Sequence, residues 1–260
     1  MKLNLVRNFE KEEDFNLIKN TLEWPTVSYT KDTDLVHWMR ASLYDFVDLG
    51  LSVKWATCNV GAEKPEDYGM YFAWGEPDGY YVTSGSSGLV IKDKDGNDTN
   101  TKSSGFYWPD YKLCNGSQTT MTKYCTNSEY GTVDNKTVLE QSDDAAYVSD
   151  KTCRMPTIDE LKELRTGTTS AWTTNYNGSG VSGMIFTSKA DTSKSIFVPA
   201  AGYVDDGSLD DVGSYGYLWS SSLHESYSYS AWFLYFNSSG VNSNNYGRFS
   251  GFSVRAVQIK

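Results

Sequence analysis

WFLYFNSSGVNSNNYGRF, residues 232–249, sets aromatic side chains among serines, asparagines and glycines. Its reading decides the fold, because it holds both a strand and the polar material in which a strand ends. In AWFLYFN (231–237) successive side chains point to opposite faces, so Trp232, Leu234 and Phe236 share one face while Phe233, Tyr235 and Asn237 share the other. With the first set toward the core, Phe233 and Tyr235 face out, and neighbouring exposed aromatics mark an interaction surface. The alternative is a strand buried on both faces, as continuous apolar runs read. Against it, HESYSYS (224–230) before the strand and NSSGVNSNNYG (237–247) after it are too polar and turn-prone to bury.

Working outward, the same texture of short strands broken by Gly, Asp, Asn and Ser extends back to Phe46. VDLGLSVKWATCNVG and YGMYFAWGEP are rich in aromatic and β-branched residues, while SGSSG (84–88) and KDGNDTNTKSSG (94–105) are turn and loop material. GMIFTS, SIFVPAAGYV, YLWSSS, AWFLYF and FSVRAVQI read as further strands. One internal helix stands out in PTIDELKELRTG: Thr157 and Glu160 form a capping box, Leu161 and Leu164 an apolar stripe, and Gly167 a stop. The sum is an α+β domain with few helices and many short, irregular strands. Before it, residues 8–23 read as a helix with Phe15, Ile18 and Leu22 on one face, and TVSYT and DLVHWM flank KDT as a hairpin. This leader, residues 1–45, is too small for much of a core and is expected to dock on the following domain or a larger assembly.

Composition narrows the function classes. Apolar residues are 39% and aromatics 15% of 260 residues, with 19 Tyr and 8 Trp, enough for a core. A net charge of -10 without clustered Lys/Arg argues against nucleic acid or an anionic membrane as partner. The first residues lack the apolar run of a signal peptide, and no stretch approaches the ~20 apolar residues that span a bilayer. As written, the chain reads as soluble without an export signal. Cys58, Cys114, Cys125 and Cys153 show no CxxC spacing and no neighbouring His, so they read as buried small apolar groups rather than a zinc site or disulfides.

Candidate chemistry is sparse. His37 and His224 sit in no catalytic motif. DKDGND (93–98) has Gly in the fourth rather than the sixth position of a calcium loop and reads as a DG hairpin turn. Asp205, Asp206, Asp210 and Asp211 could together attract a cation, though clustered loop acids are more often solvated, and Glu76 and Asp78 are spaced like ligands of a sugar-bound calcium, a pattern that a strand-terminating Pro77 explains equally well. No metal, cofactor or catalytic residue is expected. The tail differs: Trp219–Ser250 holds ten Ser, four Tyr and four Asn, the composition of adaptable binding loops.

Five stretches, in order, carry a resemblance: 46–77 (FVDLGLSVKWATCNVGAEKPEDYGMYFAWGEP), QSDDAAYV with CRMPTIDELKEL, SIFVPAAGY, YGYLWSSS and GFSVRAV. They resemble the successive motifs of the Fibrobacter major paralogous (FISUMP-type) domain, a family common in gut Bacteroidetes and their phages. That resemblance covers roughly residues 46–258 and implies a C-type-lectin-like fold. The family's usual tryptophan before RMPT is Cys153 here, so packing there is expected to differ. The fold is shared with formylglycine-generating enzymes, whose reactive cysteine pair lies near the C-terminus; this chain has no Cys after Cys153, which implies a protein that is not an enzyme.

The same fold serves as the variable protein of diversity-generating retroelements, and the chain looks similar to the phage major tropism determinant. There, template adenines at AAC-type codons are randomised in a C-terminal stretch. Such codons write Asn, Ser, Tyr, Phe, Gly, His, Asp and Arg but never Lys, Gln, Glu, Met or Trp, and no Lys, Gln or Met occurs from His224 to Ser250. Trp232 and Glu225 must therefore be fixed. Within a variable region of 219–257, the resemblance implies variable ligand-binding positions at His224, Ser226, Tyr227, Ser228, Tyr229, Phe233, Tyr235, Ser238, Ser239, Asn242, Asn244, Tyr246, Gly247, Phe249 and Ser250. Trp219, Trp232, Leu234, Phe236, Phe252 and Val254 would be scaffold. The expected protein is a ligand-binding component of a virion, such as a phage tail, or of a cell surface. Its partner would be a cell-surface protein or glycan receptor, with residues 1–45 joining an assembly. The alternatives are a non-variable adhesin or glycan-binding module and, on the enzyme side, a formylglycine-generating-enzyme-like oxidase.

Overall fold

Helix formation follows the local chemistry at 157–167. Thr157 Oγ1 accepts the Glu160 amide at 3.3 Å and a Glu160 carboxylate oxygen accepts the Thr157 amide at 2.8 Å, closing the capping box. Leu161 and Leu164 are fully buried, and Arg154 grips the Glu160 carboxylate with both terminal nitrogens, at 2.8 and 2.6 Å. In this computed structural model, residues 43–86, 88–99 and 106–260 are described. The helix, hairpin and docking role read in residues 1–45, and His37, fall essentially outside them.

Among the described residues there are two α-helices, α1 (Ala145–Ser149) and α2 (Ile158–Gly167), and fifteen strands. The strands are β1 (Phe46–Val47), β2 (Val53–Asn59), β3 (Tyr71–Phe72), β4 (Tyr81–Gly85), β5 (Gly88–Lys92), β6 (Thr168–Thr173), β7 (Gly183–Ser188) and β8 (Ser195–Pro199). There follow β9 (Tyr203–Asp205), β10 (Ser208–Asp210), β11 (Gly216–Leu223), β12 (Ser230–Asn237), β13 (Gly240–Gly247), β14 (Phe252–Ser253) and β15 (Arg255–Ile259). The domain is α+β and mostly β. No described helix is long and apolar enough to cross a membrane.

Five sheets organise Tyr44–Lys260, which form one compact unit. The largest has the order β13-β12-β11-β14-β3, with β11 and β14 parallel and the other pairs antiparallel. β1-β2-β15 and the meander β6-β7-β8 form two three-stranded sheets, and β4-β5 and β9-β10 are hairpins. Helix α2 lies on one face of the five-stranded sheet, where Leu161 and Leu164 join Trp55, Phe186, Leu218, Leu234 and Phe236 in one buried cluster. On the opposite face a second cluster gathers Trp74, Tyr124, Trp219, Phe233, Phe252 and Val254.

Loop chemistry matches the residues that write it. Asp93 Oδ1 accepts the amides of Asp95 and Asn97, both at 2.9 Å, around a positive-φ Gly96, so DKDGND is a turn. Glu76 and Asp78 are engaged by Lys112: its amide donates to Glu76 at 2.8 Å and its ammonium meets Asp78 at 2.6 Å. All four cysteines are free and buried, and the Cys153 thiol donates to the Ala146 and Asp150 carbonyls. One segment is unburied, as its polarity implies, yet forms a strand that its composition does not show. NSSGVNSNNYG holds the full-length strand β13, because every residue from Gly240 to Gly247 pairs in register with β12, which outweighs the poor strand propensity of Asn and Gly.

Candidate functional site

β12 has the alternation read from AWFLYFN, but not its exposure. Leu234 and Phe236 are fully buried on the α2 face as expected. Phe233 is a correction: only 4% exposed, it lies in the core rather than outward. The opposite face is covered at its centre by Trp219 and Phe252, which stack at 4.2 Å and approach Phe233 at 6.0 and 5.0 Å. Along β12 that face opens at Tyr235 and Asn237, which are half-buried. Trp232 is also corrected: it is half-exposed, with its ring against His224 at 4.7 Å and the Lys162 ammonium 5.7 Å above it.

The other expected binding positions divide by burial. Ser226, Tyr227, Ser238, Ser239, Asn242, Asn244 and Tyr246 are exposed, while His224, Tyr229 and Gly247 are half-buried. Ser228, Phe249 and Ser250 are buried, contrary to expectation. The Ser228 hydroxyl accepts the Thr126 amide at 3.0 Å, and Phe249 packs on Trp108 at 4.6 Å, so both are tied to the 106–131 segment. Ser250 lies where the chain turns from β13 toward β14, beneath the β9 strand bridged to Gly251.

The exposed positions form one strip. β13 is an edge strand, and Asn242, Asn244 and Tyr246 alternate along its outward side, with Tyr235 of β12 directly opposite Asn242. The loop His224–Tyr229 adjoins the Gly247 end, and the Ser238–Ser239 turn closes the other, ~25 Å away for a strand of this length. The structure thus joins Tyr235, Asn242, Asn244 and Tyr246 and separates the two loops from each other. Within the first loop, His224 stacks on Tyr227 at 5.1 Å and its Nδ1 accepts the Tyr227 amide at 3.2 Å.

That bond requires a neutral imidazole, and burial holds the His224 pKa below the ordinary 6.5, against the opposing charge of Glu225. The depressed value means that the neutral ring favours the folded loop above pH ~6.5, and the benefit is lost as pH falls through the folded pKa. With His37 replaced by Gln, the remaining imidazole NMR signal is expected to titrate below 6.5. Titration above that value would show that the ring is not held in this way.

Two buried arginines were invisible as structural residues in the sequence. Arg248 has no exposure; its Nε donates to Tyr111 Oη at 2.8 Å, Nη1 to the carbonyls of Tyr124 (3.0 Å) and Ser228 (2.8 Å), and Nη2 to that of Lys123 (3.0 Å). Its guanidinium lies 4.8 Å over the Trp74 ring. Carbonyl oxygens and ring faces stabilise the cation where a carboxylate usually would. Arg255 is equally buried, donating to Asn59 Oδ1 and the Ala56 and Phe197 carbonyls, and burial pushes its pKa down to about 10. The available signal was their isolation: they are the only two cations between Lys194 and Lys260.

The model of a domain of unknown function, DUF8237, matches residues 172–257, less than half of the chain. The match spans the whole strip, Arg248 and Arg255. No curated protein and no solved structure matches the chain.

Proposed function

We propose that the chain is a non-catalytic ligand-binding protein of C-type-lectin-like fold and Fibrobacter major paralogous type, whose C-terminal surface is diversified by a retroelement. The observation that carries this reading is the division of labour within β12 and β13. Tyr235, Asn242, Asn244 and Tyr246 present paratope-like side chains on the edge strand β13 and its neighbour β12, above a buried floor of Trp219, Phe233 and Phe252. Burial removes Ser228, Phe233, Phe249 and Ser250 from the displayed set and leaves eleven of the fifteen positions. In this reading the partner is a cell-surface protein or glycan, met from a phage tail or another surface. The absence of cysteine after Cys153 and the burial of all four thiols speak against oxidase chemistry.

Sequencing the locus tests this. An imperfect repeat of the codons for residues 220–257 beside a reverse-transcriptase gene is expected. If neither is found, diversification is excluded and the non-variable adhesin reading takes its place.

A further inference from the structure

Beside the strip, the β9-β10 hairpin and the start of β11 bring a second set of residues to the same face, and Tyr246 alone belongs to both sets. Tyr203 is at its centre, its ring 5.1 Å from Tyr217, 6.1 Å from Tyr246 and 5.9 Å from the buried Phe252. All three tyrosines keep part of their surface open, Tyr246 the most at 40%. Carboxylates surround them. Asp211 accepts the Tyr217 hydroxyl at 2.6 Å, Asp205 and Asp206 stand by the Tyr246 hydroxyl, and Asp205, Asp210 and Asp211 stand by Tyr203.

These four acids have no cationic partner: no Lys or Arg forms an ion pair with them among the described residues. The Asp205 carboxylate is met by the hydroxyls of Tyr246 and the fully buried Ser250, which leave its charge without a counter-ion. Clustered like charges are relieved by an incoming cation. Half-open tyrosine rings beside carboxylates that lack a counter-ion suit a guanidinium, which stacks on ring faces and donates to carboxylates in its plane.

We propose that Tyr203, Tyr217, Tyr246, Asp205 and Asp211 form a cation-recognition subsite that takes an arginine side chain of a protein partner. The inference rests on this face being the ligand-binding surface, and narrows its partners. Tyr203, Tyr217, Asp205 and Asp211 lie outside the positions proposed to vary. Tyr246 is the one member proposed to vary, so the constant part of the subsite, Tyr203, Tyr217, Asp205 and Asp211, favours arginine-bearing ligands whatever residues occupy positions 235, 242 and 244.

The test is fluorescence anisotropy with a labelled arginine-rich peptide at low salt, beside its glutamate counterpart and a labelled neutral oligosaccharide. The arginine peptide is expected to bind and the glutamate peptide not, with added salt weakening the complex. Asp205→Asn with Asp211→Asn is expected to weaken binding at least about tenfold. Asn keeps the shape of both side chains and tolerates the positive φ of 61° at Asp211, so the fold survives. Asp95→Asn with Asp98→Asn, the same charge change on a distant-in-sequence turn, is expected to leave binding intact. Any of four results overturns the subsite: no arginine-peptide binding, equal binding of the glutamate peptide, preference for the oligosaccharide, or equal loss in both double variants. Each of those leaves the diversified display surface standing, since the locus sequence tests it without Asp205 or Asp211.

Discussion

Replacing Arg248 with methionine is expected to destabilise the domain by about 4 kcal/mol or more, out of the ~5–15 kcal/mol typical of a folded domain. Two effects oppose each other. Methionine relieves the cost of keeping a guanidinium out of water, which can make the loss of a buried ion neutral. It also leaves the carbonyls of Lys123, Tyr124 and Ser228 without their donors in a site with no exposure at Arg248, at roughly 1–3 kcal/mol each. With three such carbonyls the second effect wins. Arg248 also joins segments distant in sequence, since its amide donates to the Tyr229 carbonyl at 3.0 Å and its carbonyl accepts the Trp74 amide at 2.8 Å. Lysine at this position is expected not to rescue, because one ammonium cannot reach the four acceptors that the fork reaches. Urea unfolding and thermal melts measure this, and a melting temperature within ~2 °C of the parent would show the network to be dispensable.

Phe233→Ala should cost about 3–5 kcal/mol, the range for removing a fully packed aromatic ring. Trp219, Phe252, Tyr217 and Tyr246 all stand within 6.4 Å of the Phe233 ring, and a void there is not filled without moving the stack. Tyr235→Ala, two residues along on the same face, is expected to cost under ~1 kcal/mol, because its ring is half open. The comparison separates scaffold from surface within one strand. Equal losses at the two positions would place Tyr235 in the core and remove it from the binding strip.

Much of the frame was legible because its chemistry is local. A capping box and an apolar stripe identify α2, and apolar runs identify β7, β8, β11 and β12. β13 was not legible, since GVNSNNYG has neither propensity nor alternation of its own and is a strand only because β12 supplies a pairing partner along its whole length. Phe233 was misread for a related reason. Alternation tells which residues share a face, but whether that face is covered depends on Trp219 and Phe252, which other strands bring in. Arg248 and Arg255 stand as isolated charges in the sequence, and only the fold supplies the carbonyls that bury them. The exposed half of the strip, Asn242, Asn244 and Tyr246, was legible from composition even though its secondary structure was not.

The separation of fold from face is tested most directly by melting temperatures of unselected clones in which Tyr235, Asn242 and Asn244 are randomised together. Such clones are expected to melt within about 5 °C of the parent, because exposed substitutions away from packing cost little. Losses across the set as large as that of Phe233→Ala would contradict it, and would make the strip a part of the core.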